Sequence, residues 1–197
     1  AIEFSAVDTT YAWETVDGAD GFNRITLFKE NGLHELSIAV IRNALWAALD
    51  QNKPDCVAIP GWSDVAALLA LEWCRHRNIP AILMSESQAV DEPRVWWKEW
   101  IKARVVRQYS SGLVGGLPHI EYLQDLGLRR PQIFPVYDVV DNEYFSRGAE
   151  FALNNAEKRR EELALPNNYF LNSSRFIEKK NLHNLIDAYA KYREVSD

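Results

Sequence analysis

The sequence has few of the residues that sulfur chemistry requires. Among its 197 residues are two cysteines, Cys56 and Cys74, and a single methionine. Each cysteine stands in an apolar run, without the spacing of a redox motif or of a metal site. A disulfide framework is therefore excluded, and we expect both thiols to be buried and reduced, as in a cytoplasmic protein.

Long apolar runs and an excess of positive charge are also lacking. No apolar run is long enough to span a bilayer, and no signal peptide is visible at Ala1. The formal charge of −6 and a pI near 5.3 argue against a dedicated nucleic-acid binder. We expect a cytoplasmic protein with no nucleic-acid partner.

Several catalytic motifs are missing as well. The sequence contains no GxGxxG, no Walker P-loop, no GxSxG elbow and no HExxH. What it does contain is 47% hydrophobic and 12% aromatic residues, enough for a sizeable core. The composition is that of a globular domain, and its function must be inferred from patterns other than these common motifs.

Short apolar runs alternate with helical patterns along the first 136 residues. The predicted strands are 2–4, 25–28, 55–60, 81–85, 113–115 and 132–136, and the predicted helices are 34–52, 63–77, 94–109 and 119–126. A polar loop with Gly18 and Gly21 joins the first two strands, and Ser63 is expected to cap the second helix. This alternation predicts an α/β, Rossmann-like parallel sheet with helices on both faces.

Residues 169–193 combine a strand, a basic turn and a helix. The run 169–171 is rich in β-formers, and the turn after it carries Arg175, Lys179 and Lys180. The helix that follows has Leu182, Leu185, Ile186 and Tyr189 on one face. Cations before a helix N-terminus suit a phosphate or diphosphate, because backbone N–H groups and the helix dipole add to their charge. The alternative interpretation is a solvated surface turn.

The segment 175–189 resembles the start of the C-terminal domain of the retaining GT-B glycosyltransferases of family 4, also called group 1. The resemblance rests on Arg175, on Lys180 and on the helix of the form LxxLIxAY that follows them. The run with Val140, Asp141, Asn142 and Phe145 resembles the segment that ends their N-terminal domain. The resemblance implies that Arg175 and Lys180 contact the diphosphate of a nucleotide-sugar donor. Asn181 stands where the family often has glycine.

The resemblance also implies how the chain is divided. Residues 1–138 would be the N-terminal, acceptor-side Rossmann-like domain. We expect this domain to lack its first strand, because the chain starts inside a strand pattern. Residues 139–168 would cross between domains, and 169–197 would start a truncated, second Rossmann-like domain on the donor side. We expect such a fragment to have little transferase activity and, because its second domain would expose apolar surface, to form a homodimer.

The activity that the resemblance implies is transfer of a sugar, with retention, from a nucleotide sugar to an unknown sugar, lipid or small-molecule acceptor. No cofactor and no metal would be required, and the absence of an Asp-x-Asp pair makes metal-dependent GT-A chemistry unexpected. Two alternatives stay open: a non-enzymatic Rossmann-like binding or interaction module, and a GT-B epimerase or phosphorylase.

Acceptor-side candidates follow the predicted strands 55–60 and 81–85, because ligands of an open parallel sheet lie beyond the carboxyl ends of its strands. Gly61 allows close approach of the backbone, and Trp62 offers a flat face to a sugar or lipid. Glu86 and Ser87 could orient acceptor hydroxyls. The alternatives are core packing for Trp62 and a plain surface carboxylate for Glu86.

The predicted helix 94–109 has an unusual composition from Arg94 to Arg107. Trp97, Trp100 and Ile101 share one face, and basic side chains share another. Packing on the sheet is the default interpretation. Two other interpretations are that the helix forms a wall on the acceptor side, or that it makes peripheral contact with an anionic membrane. For a cytoplasmic protein, that contact would be with the inner face of the membrane.

Overall fold

The computed structural model describes residues 1–5, 22–29, 36–135 and 139–196. The chain divides into two units, Ala1–Val140 and Asp141–Asp197. The predicted scheme of an N-terminal domain, a crossing and the start of a second domain stays a prediction. Its first boundary, at residue 138, falls outside the described residues, as do Gly18, Gly21, the helix start at His34 and the strand end at Val136.

The first unit consists of alternating strands and helices. Its elements are β1 (Ile2–Ser5), β2 (Ile25–Phe28), α1 (Ile38–Asn52), β3 (Val57–Pro60), α2 (Val65–Arg77), β4 (Ala81–Ser85), α3 (Trp96–Val106), β5 (Ser111–Val114), α4 (Leu117–Asp125) and β6 (Ile133–Pro135). Among the described residues, β1 and β2 form one parallel pair, and β3, β4, β5 and β6 form a parallel sheet in that order. The α/β class, with parallel sheets flanked by helices, is confirmed.

Burial alternates along the central strand β4. Ala81, Leu83 and Ser85 are buried, whereas Ile82 and Met84 are partly exposed. In register with Leu83, Ile59 of β3 and Gly112 of β5 are buried too. Since side chains alternate between the faces of a sheet, one face carries the core of this unit and the other is less covered.

Helices α1 and α2 pack on each other beside the sheet. The indole of Trp46 in α1 donates to the carbonyl of Leu69 in α2 at 3.2 Å, and Trp73 donates to Asp50 at 3.0 Å. Helix α1 ends at Asn52, as the sequence predicts, and its C-cap Lys53 lies in the left-handed region at φ 46°. These hydrogen bonds fasten α1 to α2.

Two predictions for this unit are wrong. Asp64, not Ser63, caps α2, because its carboxylate accepts from the Ala66 amide at 2.7 Å. Cys56 is exposed, because it precedes β3 at the edge of the four-stranded sheet, whereas Cys74 is buried. Burial raises the pKa of the Cys74 thiol to about 11.

The second unit contains helices α5 (Asn142–Asn154), α6 (Ala156–Glu162) and α7 (Leu182–Ser196), with a 3₁₀ turn at Glu178–Lys180. The predicted strand at 169–171 is wrong: within 139–196 no residue is in a strand. A strand needs a paired neighbour, and the described part of this unit offers none. Instead, Phe170 packs its ring against Tyr189 and Tyr192 of α7.

No helix in the described parts of the chain combines the length and apolarity that crossing a membrane would need.

Candidate functional site

The turn before α7 is built from a short 3₁₀ helix that ends in a left-handed residue. Asn181 has φ 51° and ψ 42°, and its amide donates to the Glu178 carbonyl at 2.8 Å. Asparagine tolerates this conformation better than most side chains, and glycine tolerates it best. The backbone thus explains why asparagine stands where the resembling family often has glycine.

Arg175 and Lys180 lie on this same turn. The Lys180 amide donates to the Ile177 carbonyl, and the Ile177 amide donates to the Arg175 carbonyl, each at 3.0 Å. Both residues are exposed. Two cations therefore flank the start of α7, whose first amide groups have no partner within the helix.

A cavity of about 960 Å³ adjoins the turn. Its polar lining includes Ser173, Ser174, Asn181 and His183, and Ser174 donates to Asn172 at 2.6 Å. Arg175 and Lys180 stand beside this cavity and do not line it. The structure thus brings the two predicted cations onto one turn without enclosing them in a pocket.

The acceptor-side candidates lie at the carboxyl edge of the four-stranded sheet. Gly61 adopts φ +79°, its amide donates to Met84 at 2.8 Å, and its carbonyl accepts from the Tyr109 hydroxyl at 3.0 Å. Only glycine adopts this φ without strain. The backbone conformation therefore explains the glycine at position 61, in addition to the close approach that the sequence suggested. Trp62 is buried, with its ring edge against Tyr122, which favours the packing interpretation.

Glu86 is exposed just beyond β4, and the amide of Ser87 donates to the Ser85 hydroxyl at 3.2 Å. Gln88 then starts a turn, donating its amide to Asp91 at 2.8 Å. These bonds fix the direction in which the chain leaves the strand. The side chain of Glu86 makes no hydrogen bond or ion pair with the described part of the chain and faces solvent.

Sequence reasoning missed that Arg94 fastens this loop. Its guanidinium donates to the carbonyls of Gln88 and Ala89, the latter at 2.7 Å, and to the Tyr122 hydroxyl at 3.0 Å. It also pairs with Glu99 at 3.6 Å. The Arg–Lys pattern of this helix was visible in the sequence, but Tyr122 lies 28 residues further on, where no local pattern could reveal it.

Glu99 is the charged centre of this network. It accepts from Lys102 at 2.8 Å and from Tyr122 at 2.7 Å, and each of the charged side chains is about a quarter exposed. Burial raises the pKa of the Glu99 carboxyl, but the hydrogen bonds from Lys102 and Tyr122 outweigh it, so that its pKa lies below the usual value. The pKa of Lys102 is lowered by burial and raised more strongly by its bonds to Glu99 and Tyr122, so the net shift is upward.

His119 lies near the carboxyl end of β5. Its Nδ1 is buried and has no hydrogen-bond partner in the described structure, and the imidazole lies within 4 Å of the position that a side chain on Gly115 or Gly116 would occupy. A Cβ at either glycine would make only ordinary van der Waals contact with the ring. His119 therefore adds an unused nitrogen to the edge where the acceptor candidates lie.

Helix α3 does not bury its tryptophans. Trp96 is 81% exposed, and Trp97, Trp100 and Ile101 are about half exposed. Arg104 stacks over Trp100 at 4.4 Å, and Lys98 lies 5.6 Å from the Trp97 ring. The default prediction that this face packs on the sheet does not describe these side chains.

Within the described ranges, no three histidine, cysteine, aspartate or glutamate side chains come together as a group that could hold a metal ion. The prediction that no metal is required stays a prediction.

The chain matches no known protein-family description, and no curated protein matches it. Among solved structures, it is similar to UDP-N-acetylglucosamine 2-epimerase from Rickettsia bellii, with 17% identity, a TM-score of 0.43, and coverage of 72% of this chain and 36% of that one. The UDP-GlcNAc 2-epimerase from Neisseria meningitidis bound to UDP-GlcNAc gives 12%, 0.45, 71% and 39% for the same measures. A putative UDP-N-acetylglucosamine 2-epimerase from Listeria monocytogenes gives 14%, 0.41, 56% and 29%. The chain thus spans about a third of the length of each of these structures, and the α/β class rests on its own sheets and helices.

Proposed function

We propose that this chain is part of a retaining glycosyltransferase of the GT-B fold that takes its sugar from a nucleotide-sugar donor. The observation that carries the proposal is the turn from Arg175 to Asn181, which holds two exposed cations and leads through a left-handed residue into the first amide groups of α7. Positive side chains and helix amides together favour a diphosphate.

In this proposal Arg175 and Lys180 act on the leaving group. As the bond between the sugar and the nucleoside diphosphate breaks, negative charge grows on the diphosphate oxygens. Fixed cations and oriented amides lower the free energy of that charged state more than that of the bound donor, which is how they accelerate the reaction. Protein cations would serve here where other transferases use a metal.

The acceptor would bind at the carboxyl edge of the first unit. Glu86 offers an exposed carboxylate for acceptor hydroxyls, and Arg94 fixes the loop next to it through its bonds to Gln88 and Ala89. Arg94 is on this account a positioning residue. Its replacement by lysine would lose the fork of donors while keeping the charge.

The test is a panel of nucleotide sugars, measured by calorimetry and product analysis on the whole natural protein. Arg175→Ala and Lys180→Ala should each weaken donor binding by about tenfold to a hundredfold, the range for losing a hydrogen bond to a charged group. Lys191→Ala, an exposed lysine in the last turns of the same helix, is the matched control and should change neither binding nor transfer.

Product analysis separates the candidate activities. A new glycoside whose anomeric configuration matches the donor supports the proposal. Conversion of the donor sugar to its epimer would assign an epimerase instead, and donor binding without turnover would favour a binding module. Unchanged donor binding together with unchanged transfer in both cation variants would show that the turn is only a solvated loop.

The exposed tryptophans of α3 favour one further proposal, contact with an anionic membrane surface. Trp96 and Trp100 are exposed aromatic side chains suited to the headgroup region of a membrane, and Lys98 and Arg104 lie over the rings of Trp97 and Trp100. Vesicles containing phosphatidylserine should sediment the protein at low salt and release it at high salt. Trp96→Ala with Trp100→Ala should abolish this, and no sedimentation at low salt would remove the proposal.

A further inference from the structure

Each of the four helices described in the first unit begins with a large apolar residue that is exposed. These first residues are Ile38, Val65, Trp96 and Leu117, and their exposed fractions are 60%, 41%, 81% and 72%. The first turns of α1, α2 and α4 also lack the acidic side chains that suit the free amide groups of a helix start. One exposed apolar side chain is ordinary, whereas several at one edge form a patch that marks an interaction site.

The strands that lead into α2, α3 and α4 end at one level of the sheet. Pro60, the last residue of β3, is in register with Met84 of β4. Val114, the last residue of β5, is in register with Ser85, the last residue of β4. The central strand of these three is β4, and Glu86 follows it directly. The starts of α2 and α4 therefore lie at the carboxyl edge, on either side of the point where Glu86 leaves β4.

The start of α3 is tied to the same edge. Arg94 donates to the carbonyls of Gln88 and Ala89, in the loop by which the chain leaves β4. Trp96, two residues after Arg94, is therefore held close to the end of β4. Val90, in the same loop, is 83% exposed and adds a further apolar side chain.

Helix α1 starts at the same end as α2. Arg42 pairs with Glu72 at 3.3 Å, and further along both helices Asp50 pairs with Arg77 at 2.9 Å. Because the paired residue numbers rise together, the two helices run in the same direction. The exposed apolar residues at this edge, here called the apolar rim, are Ile38, Val65, Val90, Trp96 and Leu117.

Polar groups lie beside the apolar rim. Glu86 has an exposed carboxylate. On α3, the exposed cations Lys98 and Arg104 lie 5.6 Å and 4.4 Å from the ring centres of Trp97 and Trp100. A wholly polar acceptor would gain nothing from the rim, and a wholly apolar molecule would have no hydroxyl group to receive a sugar. The combination fits an amphiphile whose headgroup lies at a negatively charged surface.

We propose that the sugar acceptor is a hydroxyl-bearing lipid of an anionic membrane. The apolar rim seats the carboxyl edge of the first unit on that membrane, so that the lipid headgroup reaches Glu86 while the lipid chains stay in the bilayer. Lys98 and Arg104 attract the headgroup phosphates. This inference rests on the proposed glycosyltransferase function, and it extends the contact from α3 to an edge that all four helices form.

The transfer step is then a substitution at the anomeric carbon of the donor sugar. The hydroxyl oxygen of the lipid forms a bond to that carbon, and the bond from the carbon to the diphosphate breaks. The electron pair of the broken bond stays on the nucleoside diphosphate, which also takes the hydroxyl proton. Glu86 orients the hydroxyl group by accepting its hydrogen bond.

The first experiment measures whether the rim outside α3 binds a membrane. The probe is a vesicle of phosphatidylcholine with phosphatidylserine, and the protein is the whole natural chain. Leu117→Ser changes α4, which carries none of the tryptophans, and should weaken vesicle binding about fivefold because a leucine side chain leaves the apolar phase. Phe22→Ser is the matched control. Phe22 is 48% exposed but precedes β2 at its amino end, so its replacement should leave vesicle binding unchanged.

Both variants change exposed residues and should keep the circular dichroism of the wild type. If Leu117→Ser fails to fold, Val65→Ser tests the rim on α2 in the same way. Wild-type affinity for vesicles in a rim variant that folds would overturn the proposal, because the edge would then not lie on the membrane.

The second experiment identifies the acceptor phase. Each radiolabelled nucleotide sugar of the panel is incubated with the protein and with either the washed membranes or the cytosol of the cells that make it. Extraction with chloroform and methanol then separates lipid from water-soluble products. We expect label in the lipid phase of the membrane sample. Leu117→Ser should lower that label about fivefold, in step with vesicle binding, while calorimetry shows an unchanged affinity for the donor.

The two proposals fail in different ways. Label that passes only into water-soluble glycosides would overturn the lipid acceptor and leave the glycosyltransferase standing. No transfer of label in either sample, with any donor of the panel, would remove the glycosyltransferase and the lipid acceptor together.

Discussion

The two units differ in how their apolar residues are used. Among the described residues of the first unit, 24 hydrophobic residues are buried, including Leu83, Val106, Val114 and Leu123 at 0% exposure. In the described part of the second unit no residue is buried, and Phe170 and Phe176 are 76% and 95% exposed. The first unit therefore has a core, whereas the described part of the second has helices and aromatic contacts without one.

This difference shows that regular secondary structure alone does not make a segment stable. Helices α5 and α7 have 13 and 15 residues, a length at which an isolated helix is marginal in water without an apolar face to bury. The sheet of the first unit, in contrast, is held by long-range contacts between strands far apart in sequence. The free energy needed to open a backbone hydrogen bond should therefore depend on whether its element packs on a core, and not on whether it is a helix or a strand.

The largest expected effect is in native-state hydrogen exchange. Amides of β4 and α2 should open only with free energies of several kcal/mol, approaching global unfolding, while those of α7 should open at about 0–2 kcal/mol. Mass spectrometry of peptic fragments measures both in one sample. Equal protection of α7 and β4 would break the comparison and would mean that the face of α7 is covered in solution.

A matched pair of leucine substitutions sharpens the same comparison. Leu83→Ala removes a side chain that is 0% exposed and should cost about 2–5 kcal/mol of unfolding free energy. Leu185→Ala removes one that is 46% exposed and should cost about 0.5 kcal/mol or less.

Urea unfolding followed by circular dichroism and by tryptophan fluorescence measures both variants. All seven tryptophans lie in the first 100 residues, so fluorescence reports on the first unit alone. A cost above about 2 kcal/mol for Leu185→Ala would place that side chain in a buried environment.

The sequence predicted structure best where the signal is local. The strand 81–85 was predicted with its observed bounds, because its apolar run lies between Pro80 and Glu86. The run 169–171 has a similar composition but forms no strand, because a strand also needs a neighbour that composition does not specify. The basic turn was visible from its cations, whereas the left-handed conformation of Asn181 was not predicted, although asparagine tolerates it.

The missed features depend on contacts between distant residues. Arg94 meets Tyr122 across 28 positions, and Trp46 meets Leu69 across 23. Such features follow from topology, which periodicity alone does not determine.

A smaller contrast concerns one glycine in each unit. Gly61→Ala should destabilise by about 1–2 kcal/mol, because alanine pays for the left-handed conformation at φ +79° although its Cβ would meet nothing within 4 Å. Gly148→Ala, inside α5 and equally uncrowded, should stabilise that helix by up to about 1 kcal/mol. Opposite signs in thermal unfolding would confirm that conformation, not packing, decides both.

The smallest expected effect is the pH dependence that Glu99 gives to the first unit. Its pKa in the folded chain lies below the usual value of 4.5, so folding favours the ionised form. This stabilisation is present above about pH 4.5 and is lost as the pH falls through the lowered pKa. Because the network is about a quarter exposed, we expect about 1 kcal/mol or less.

Glu99→Gln measures this contribution directly, by urea unfolding followed by fluorescence between pH 3 and pH 7. The stability difference between wild type and variant should be constant near neutral pH and should shrink as the acid form of Glu99 takes over. Tyr122→Phe keeps the carboxylate and removes one hydrogen bond that lowers its pKa, so its pH dependence should lie between those of the other two. A wild-type curve that Glu99→Gln merely shifts, with no change of slope in acid, would assign the acid sensitivity to carboxylates outside this network.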